Sequence, residues 1–185
     1  MLNPFVSRLA RNGLMALLIA CAAVSADAQE LPKVRIFATG GTISGYASDR
    51  DLQYAYKAGS IPPDKLLADL PEAAKVADLS YEEIAETGSG GINTQILLKL
   101  AKQINAWLAR PDTAGAVVTH GTATMEETTY FLNLVIHSDK PVVVVGAMRP
   151  FTSISRDGPF NLYNAIRVAA DPEARKNGVM ILLNE

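Results

Sequence analysis

Cysteine occurs once, at Cys21, so no disulfide can close within the chain. Histidine occurs twice, at His120 and His137, which excludes a Cys/His cluster of zinc spacing. Those two histidines also leave no evident Ser-His-Asp arrangement. No run of lysine or arginine is present and the net charge is −2, which argues against nucleic acid or an anionic membrane surface as a partner. The longest apolar run, Gly13–Val24, is too short to span a bilayer. Internal repeats and low-complexity segments are absent, and nothing in the sequence calls for a metal or another cofactor. What remains is 185 residues with 49% hydrophobic content, enough for one domain with a sizeable core.

The first residues read as a leader. Arg8 and Arg11 give a positive start, Gly13–Val24 an apolar middle, and Ala26-Asp27-Ala28 a small-x-small cleavage site before Gln29. Residues 1–28 are therefore expected to be a signal peptide, and 29–185 a secreted, periplasmic, cysteine-free domain, which suits an oxidising compartment. Leu18-Ile19-Ala20-Cys21 also has the look of a lipobox, which would place a lipid on Cys21 instead. Cleavage after Ala28 is the favoured reading.

Strands and helices alternate along the rest. Lys33–Gly45 reads as a short strand running into a Gly40-Gly41 turn. Tyr46–Lys57 is polar without a period and reads as a flexible loop, placed to act as a lid. Pro62-Pro63-Asp64 opens a helix over Lys65–Asp69, and Lys75–Ile84 forms a weak strand pattern. A second glycine-rich turn, Glu86–Gly91, leads into a helix over Ile92–Leu108. Ala116–Thr119 is an apolar run of the kind buried in a parallel sheet, ending in a third turn, His120–Thr124. A helix over Met125–Val135, a strand over Pro141–Val145, and a polar loop over Phe151–Asp157 follow. The last elements are a helix over Gly158–Ala170, with Phe160 on its apolar side, and a strand over Val179–Leu183. This order predicts an α/β fold: a doubly wound, mostly parallel sheet with flanking helices. A parallel strand normally has neighbours on both sides, so the expectation is that the natural chain continues.

Three turns each bring a small hydroxyl residue, Thr42, Ser89 or Thr122, to the carboxyl edge of such a sheet, where ligands bind. Thr42 is a candidate nucleophile by position, provided a neighbour activates it, and turn N–H groups suit an oxyanion. The chemistry suggested is acyl transfer. The alternative at Thr42 is a Gly-Gly turn with a capping threonine, and at Ser89 a helix cap by Ser89 or Asn93. His120 ends a buried strand and reads as structural; His137 reads as solvated.

Ala38-Thr39-Gly40-Gly41-Thr42-Ile43 and Thr119-His120-Gly121-Thr122-Ala123-Thr124-Met125-Glu126-Glu127-Thr128 resemble the two signatures of bacterial asparaginases. Val145-Gly146-Ala147-Met148-Arg149-Pro150 and Asp157-Gly158-Pro159-Phe160-Asn161-Leu162 resemble further stretches of the family. With a signal peptide, the match points to the periplasmic type II asparaginases or the glutaminase-asparaginases. The resemblance implies hydrolysis of asparagine, and of glutamine as a second substrate, with Thr42 as nucleophile and Thr122 activating or positioning the attacking group. Tyr56, in preference to Tyr54, aligns with the lid tyrosine. Gly88 and Ser89 would hold the substrate carboxylate, Gly121 and Ala123 would line it, and the Ala147 carbonyl would meet the amide. It also implies a homotetramer, and a catalytic lysine and C-terminal domain beyond Glu185.

Two positions depart from the family pattern, which has an aspartate where Ala123 stands and a Ser-Gln-Asp or Ser-Glu pattern at Ser89-Gly90-Gly91. Both are implied ligands of a substrate ammonium, for which a carboxylate is the natural partner. They open a second expectation: a binding domain, a pseudoenzyme, or an amidase for substrates lacking that ammonium.

Overall fold

In the computed structural model, residues 30–51 and 53–183 are described; the leader and Cys21 lie outside them. Five parallel strands form one sheet in the order β2-β1-β3-β4-β5. They are β1 (Lys33–Gly40), β2 (Asp78–Thr87), β3 (Thr113–Thr119), β4 (Val142–Val145) and β5 (Val179–Leu182). The connecting helices are α1 (Pro63–Ala68), α2 (Thr94–Leu108), α3 (Met125–Val135) and α4 (Gly158–Ala170).

The period-2 alternation of the central strands decides what packs where. Val34, Ile36, Val117, Val143 and Val145 join Leu66 of α1 and Leu162, Ala165 and Ile166 of α4 in one core layer. Phe37, Val118, Val142 and Val144 join Leu100, Ile104 and Trp107 of α2 and Met125 and Leu132 of α3 in the other. Helices on both faces make the sheet doubly wound, as the sequence predicts. From β1 the chain passes to β2 on one side, and from β3 to β4 on the other. β1 and β3 are adjacent, so the strand order reverses between their carboxyl ends, the place where open α/β sheets form ligand crevices.

Boundaries move where local chemistry competes with the pattern. Lys75 does not begin a strand: Pro71–Lys75 is a 3₁₀ turn, and β2 runs ten residues from Asp78 to Thr87. β2 is an edge strand with only Ile84 fully buried, so its apolar alternation is faint. α2 starts at Thr94 rather than Ile92, because the Asn93 side chain caps it by accepting the Ile96 N–H. α1 runs from Pro63 to Ala68, with Asp69 as its C-cap. Pro141 lies just outside β4; it has no N–H to give, but its carbonyl accepts from Ala116 N. Phe160 is not on the buried side of α4: it is 53% exposed and stacks on Tyr163.

Candidate functional site

Gly40 and Gly41 end β1 with φ of 105° and 87°, a region costly for any residue with a Cβ. A Cβ on Gly40 would fall on the Thr87 carbonyl, and one on Gly41 on the backbone of His120 and Gly121. Gly41 N also donates to Thr87 O at 2.8 Å. The two glycines therefore let the first turn nest against the ends of both β2 and β3. Gly121 in turn lies so close to Ser89 that a Cβ there would meet the Ser89 hydroxyl. Backbone contact thus links the turns carrying Thr42, Thr122 and Ser89.

Thr42 opens a 3₁₀ turn, Thr42–Ser44, and is 8% exposed. Its hydroxyl lies 2.7 Å from the Tyr56 hydroxyl. Tyr56 comes from the 46–57 loop, whose ends are closed by Tyr46 and Lys57 exchanging two backbone hydrogen bonds at 2.9 and 2.8 Å. The ring of Tyr56 rests on Gly45, leaving no room for a Cβ there. Tyr54, on the same loop, is 83% exposed, whereas Tyr56, the tyrosine preferred from the resemblance, is the one at Thr42. Residues 46–57 thus bring Tyr56 back to the turn that opens with Thr42.

Ser89 starts the 3₁₀ turn Ser89–Gly91 after β2. Its hydroxyl accepts from Ala123 N at 3.2 Å, and its carbonyl accepts from the Thr124 hydroxyl at 3.3 Å. Ser89 is thus tied to the third turn and does not cap α2, a role that falls to Asn93. Gly88 stands beside Ala58 of the first turn's loop. Thr122 opens the 3₁₀ turn Thr122–Thr124 and is partly exposed, while Ala123 is exposed. A Cβ on Gly90 would meet open space.

His120 is fully buried and engaged on both ring nitrogens. Nδ1 is 2.7 Å from Gly121 O and Nε2 is 2.9 Å from the Thr128 hydroxyl. A carbonyl only accepts, so Nδ1 carries the proton and Nε2 accepts from Thr128. Burial pushes the His120 pKa down, more than the Gly121 carbonyl raises it. The ring is a neutral structural strut, as the sequence reading has it. His137 is exposed on the loop after α3.

After β4, Ala147 is fully buried. Sequence reasoning missed what holds this turn. Asp157 accepts from Met148 N and Arg149 N at 2.8 and 2.9 Å. Asn161 donates to Gly146 O at 3.0 Å and to Asp157 at 3.2 Å. The signal available was Asp157 directly before Gly158-Pro159, which looks like a helix cap; its carboxylate instead reaches back to the preceding turn.

The arrangement brings a buried threonine, a tyrosine in hydrogen-bond contact and a second hydroxyl-bearing turn to one sheet edge. Among the described residues the Thr42 hydroxyl has no histidine, lysine or carboxylate partner. That geometry suits a nucleophile whose proton moves through a neighbouring hydroxyl.

Residues 33–185 match the family described as Asparaginase, N-terminal. L-asparaginase 2 of Bacillus subtilis is 52% identical over 163 residues, covering 88% of this chain and 44% of that protein. The probable periplasmic L-asparaginase of Haemophilus influenzae is 49% identical, covering 86% of this chain and 45% of that protein. The crystal structure of a probable cytoplasmic L-asparaginase from Campylobacter jejuni superposes with a TM-score of 0.81 at 48% identity, covering 83% of this chain and 46% of that one. The chain spans about half the length of the curated relatives it matches. Fold, turn geometry and comparisons agree: the chain belongs to the asparaginase family and carries its N-terminal domain.

Proposed function

We propose that the protein is an amidohydrolase that converts asparagine to aspartate and ammonia through Thr42, with glutamine as a second substrate. The Thr42–Tyr56 contact carries this reading, because it gives an otherwise weak nucleophile a partner for its proton. Thr42 Oγ1 attacks the carbonyl carbon of the side-chain amide, and its proton leaves through Tyr56. The C–N bond breaks as the nitrogen takes that proton from Tyr56 and departs as ammonia, and the acyl group remains as an ester on Thr42. Water attacks that ester, releasing the acid and restoring the hydroxyl. Thr122 positions the attacking group, Gly88 and Ser89 hold the substrate carboxylate, Gly121 and Ala123 line the substrate, and the Ala147 carbonyl receives the amide N–H.

The relatives' names support the activity. The Haemophilus name and the Met1–Ala28 leader support a periplasmic, type II enzyme. The Campylobacter protein is named as probably cytoplasmic, so the leader carries the assignment of location. In the proposed assembly four copies join, and a lysine and further domain outside residues 1–185 complete the site. Ammonia release by the whole gene product from asparagine, glutamine and propionamide tests the activity: release from asparagine is expected, and release from none of them overturns the reading. N-terminal sequencing of the exported protein should begin at Gln29; an unprocessed Met1 or a lipidated Cys21 contradicts the cleavage assigned here.

A further inference from the structure

The start of the 46–57 loop and residues 151–156 line an open groove of about 480 Å³, and its lining includes none of the residues assigned to the proposed reaction. Its volume is in the range of small-molecule sites. Two loops build it and hydrogen bonds stitch them together. Ala47 N donates to the Thr152 hydroxyl, which donates to Ala47 O; Ile154 N donates to Arg50 O; and Arg50 Nε donates to Thr152 O.

The groove's apolar lining is Tyr46, Phe151 and Ile154, of which Ile154 is 67% exposed. Two guanidiniums, Arg50 and Arg156, line it as well. Arg156 is already committed: it pairs with Asp69 at 2.9 Å, donates to Phe151 O and lies over the Phe151 ring. Arg50 has only its Nε engaged, and among the described residues no carboxylate pairs with it. Its two terminal amino groups are left for an outside acceptor. Ser153 also lines the groove, and its hydroxyl is buried with no partner among the described residues, which is uncommon in folded proteins.

We propose that this groove binds a small organic carboxylate with an apolar tail. A single uncommitted guanidinium presents a planar fork matched to one carboxylate. Asp69 offsets the charge of Arg156, and neither Asp49 nor Asp51 lines the groove, so Arg50 is left as its one unpaired cation. That favours a monoanion over phosphate. The apolar lining receives the hydrocarbon part, as pockets of this size generally do. Because the same loop continues to Tyr56, an occupied groove fastens the loop over Thr42; this consequence rests on the proposed function, whereas the binding does not.

The test is calorimetric titration of the full-length protein with benzoate, which carries a carboxylate and a ring but no amide. Saturable binding at one benzoate per chain is expected, with loss of roughly tenfold or more in affinity for Arg50→Gln, a charge-assisted contact removed. Ile154→Asp, an exposed position where substitution spares the core, should weaken it as well. Added aspartate should leave benzoate binding unchanged, and inorganic phosphate should compete poorly. No saturable binding, binding unaltered by both substitutions, displacement by aspartate, or displacement by equimolar phosphate would each overturn the assignment. Since binding is read without turnover, its failure leaves the Thr42 reading untouched, and absence of ammonia release leaves the groove untouched.

Discussion

The hydroxyls of Thr42 and Tyr56 lie 2.7 Å apart, although fourteen residues of chain separate them. The Tyr46–Lys57 bridge makes that contact by folding the loop back on the turn that begins with Thr42. Removing the Tyr56 hydroxyl should therefore slow the chemical step and leave the fold intact. For Tyr56→Phe we expect kcat for ammonia release to fall by about 100-fold or more, in the range of lost proton-transfer assistance. Tyr54→Phe, on an exposed ring, should change nothing. Equal losses in both variants would contradict the assignment.

Ala123 N donates to the Ser89 hydroxyl, placing residue 123 on the rim beside the candidate carboxylate subsite. The side chain is exposed, so a larger one fits there without repacking. Ala123→Asp adds a carboxylate where a substrate ammonium would lie. It should raise kcat/KM for asparagine by about tenfold or more, with no gain for propionamide, which has no ammonium. An unchanged ratio between the two substrates would mean that residue 123 does not face that group.

His120 gives folding stability a pH dependence of known sign. Burial holds its folded pKa below the ordinary value of about 6.5. The unfolded chain then binds the proton more readily, so the contribution is full above about pH 6.5 and is lost as pH falls through the folded value. Urea unfolding should show stability declining on acidification, with this residue accounting for at most about 1.4 kcal/mol per pH unit. In His120→Gln that component should vanish; an unaltered slope would show that the ring takes up its proton equally in the folded and unfolded chain.

Gly41 is held at φ 87° against the backbone of His120 and Gly121. Gly41→Ala introduces both strain and a clash that flexible side chains cannot relieve. Unfolding free energy should fall by about 2 kcal/mol or more. Activity should fall more steeply than stability, because the turn aims Thr42. A variant with unaltered stability would contradict the geometry of the turn.

Most of the fold was legible because its core strands are buried on both faces. Val117–Val118 and Val142–Val145 leave little choice but a parallel sheet, and the amphipathic stripe of α2 is plain from Leu100 to Leu108. β2 was hard to bound for the opposite reason, since an edge strand with one fully buried side chain carries little pattern. Phe160 was misplaced because helical spacing gives an angle, not what packs at that angle; here it is a ring partner, Tyr163. The positions of Thr42, Ser89 and Thr122 followed from the strand ends. The ties of Ser89 to Ala123 and of Asp157 to the turn after β4 did not. Such contacts depend on how separate loops meet, and no local spacing encodes that.

The proposed reaction turns on acylation of Thr42. The most direct measurement is mass spectrometry of the peptide containing Thr42, after acid quenching of the full-length protein during turnover of asparagine. An aspartyl ester on Thr42, absent from Thr42→Ala together with all ammonia release, is the predicted result. An adduct on Thr122 instead, or ammonia release persisting in Thr42→Ala, would contradict it.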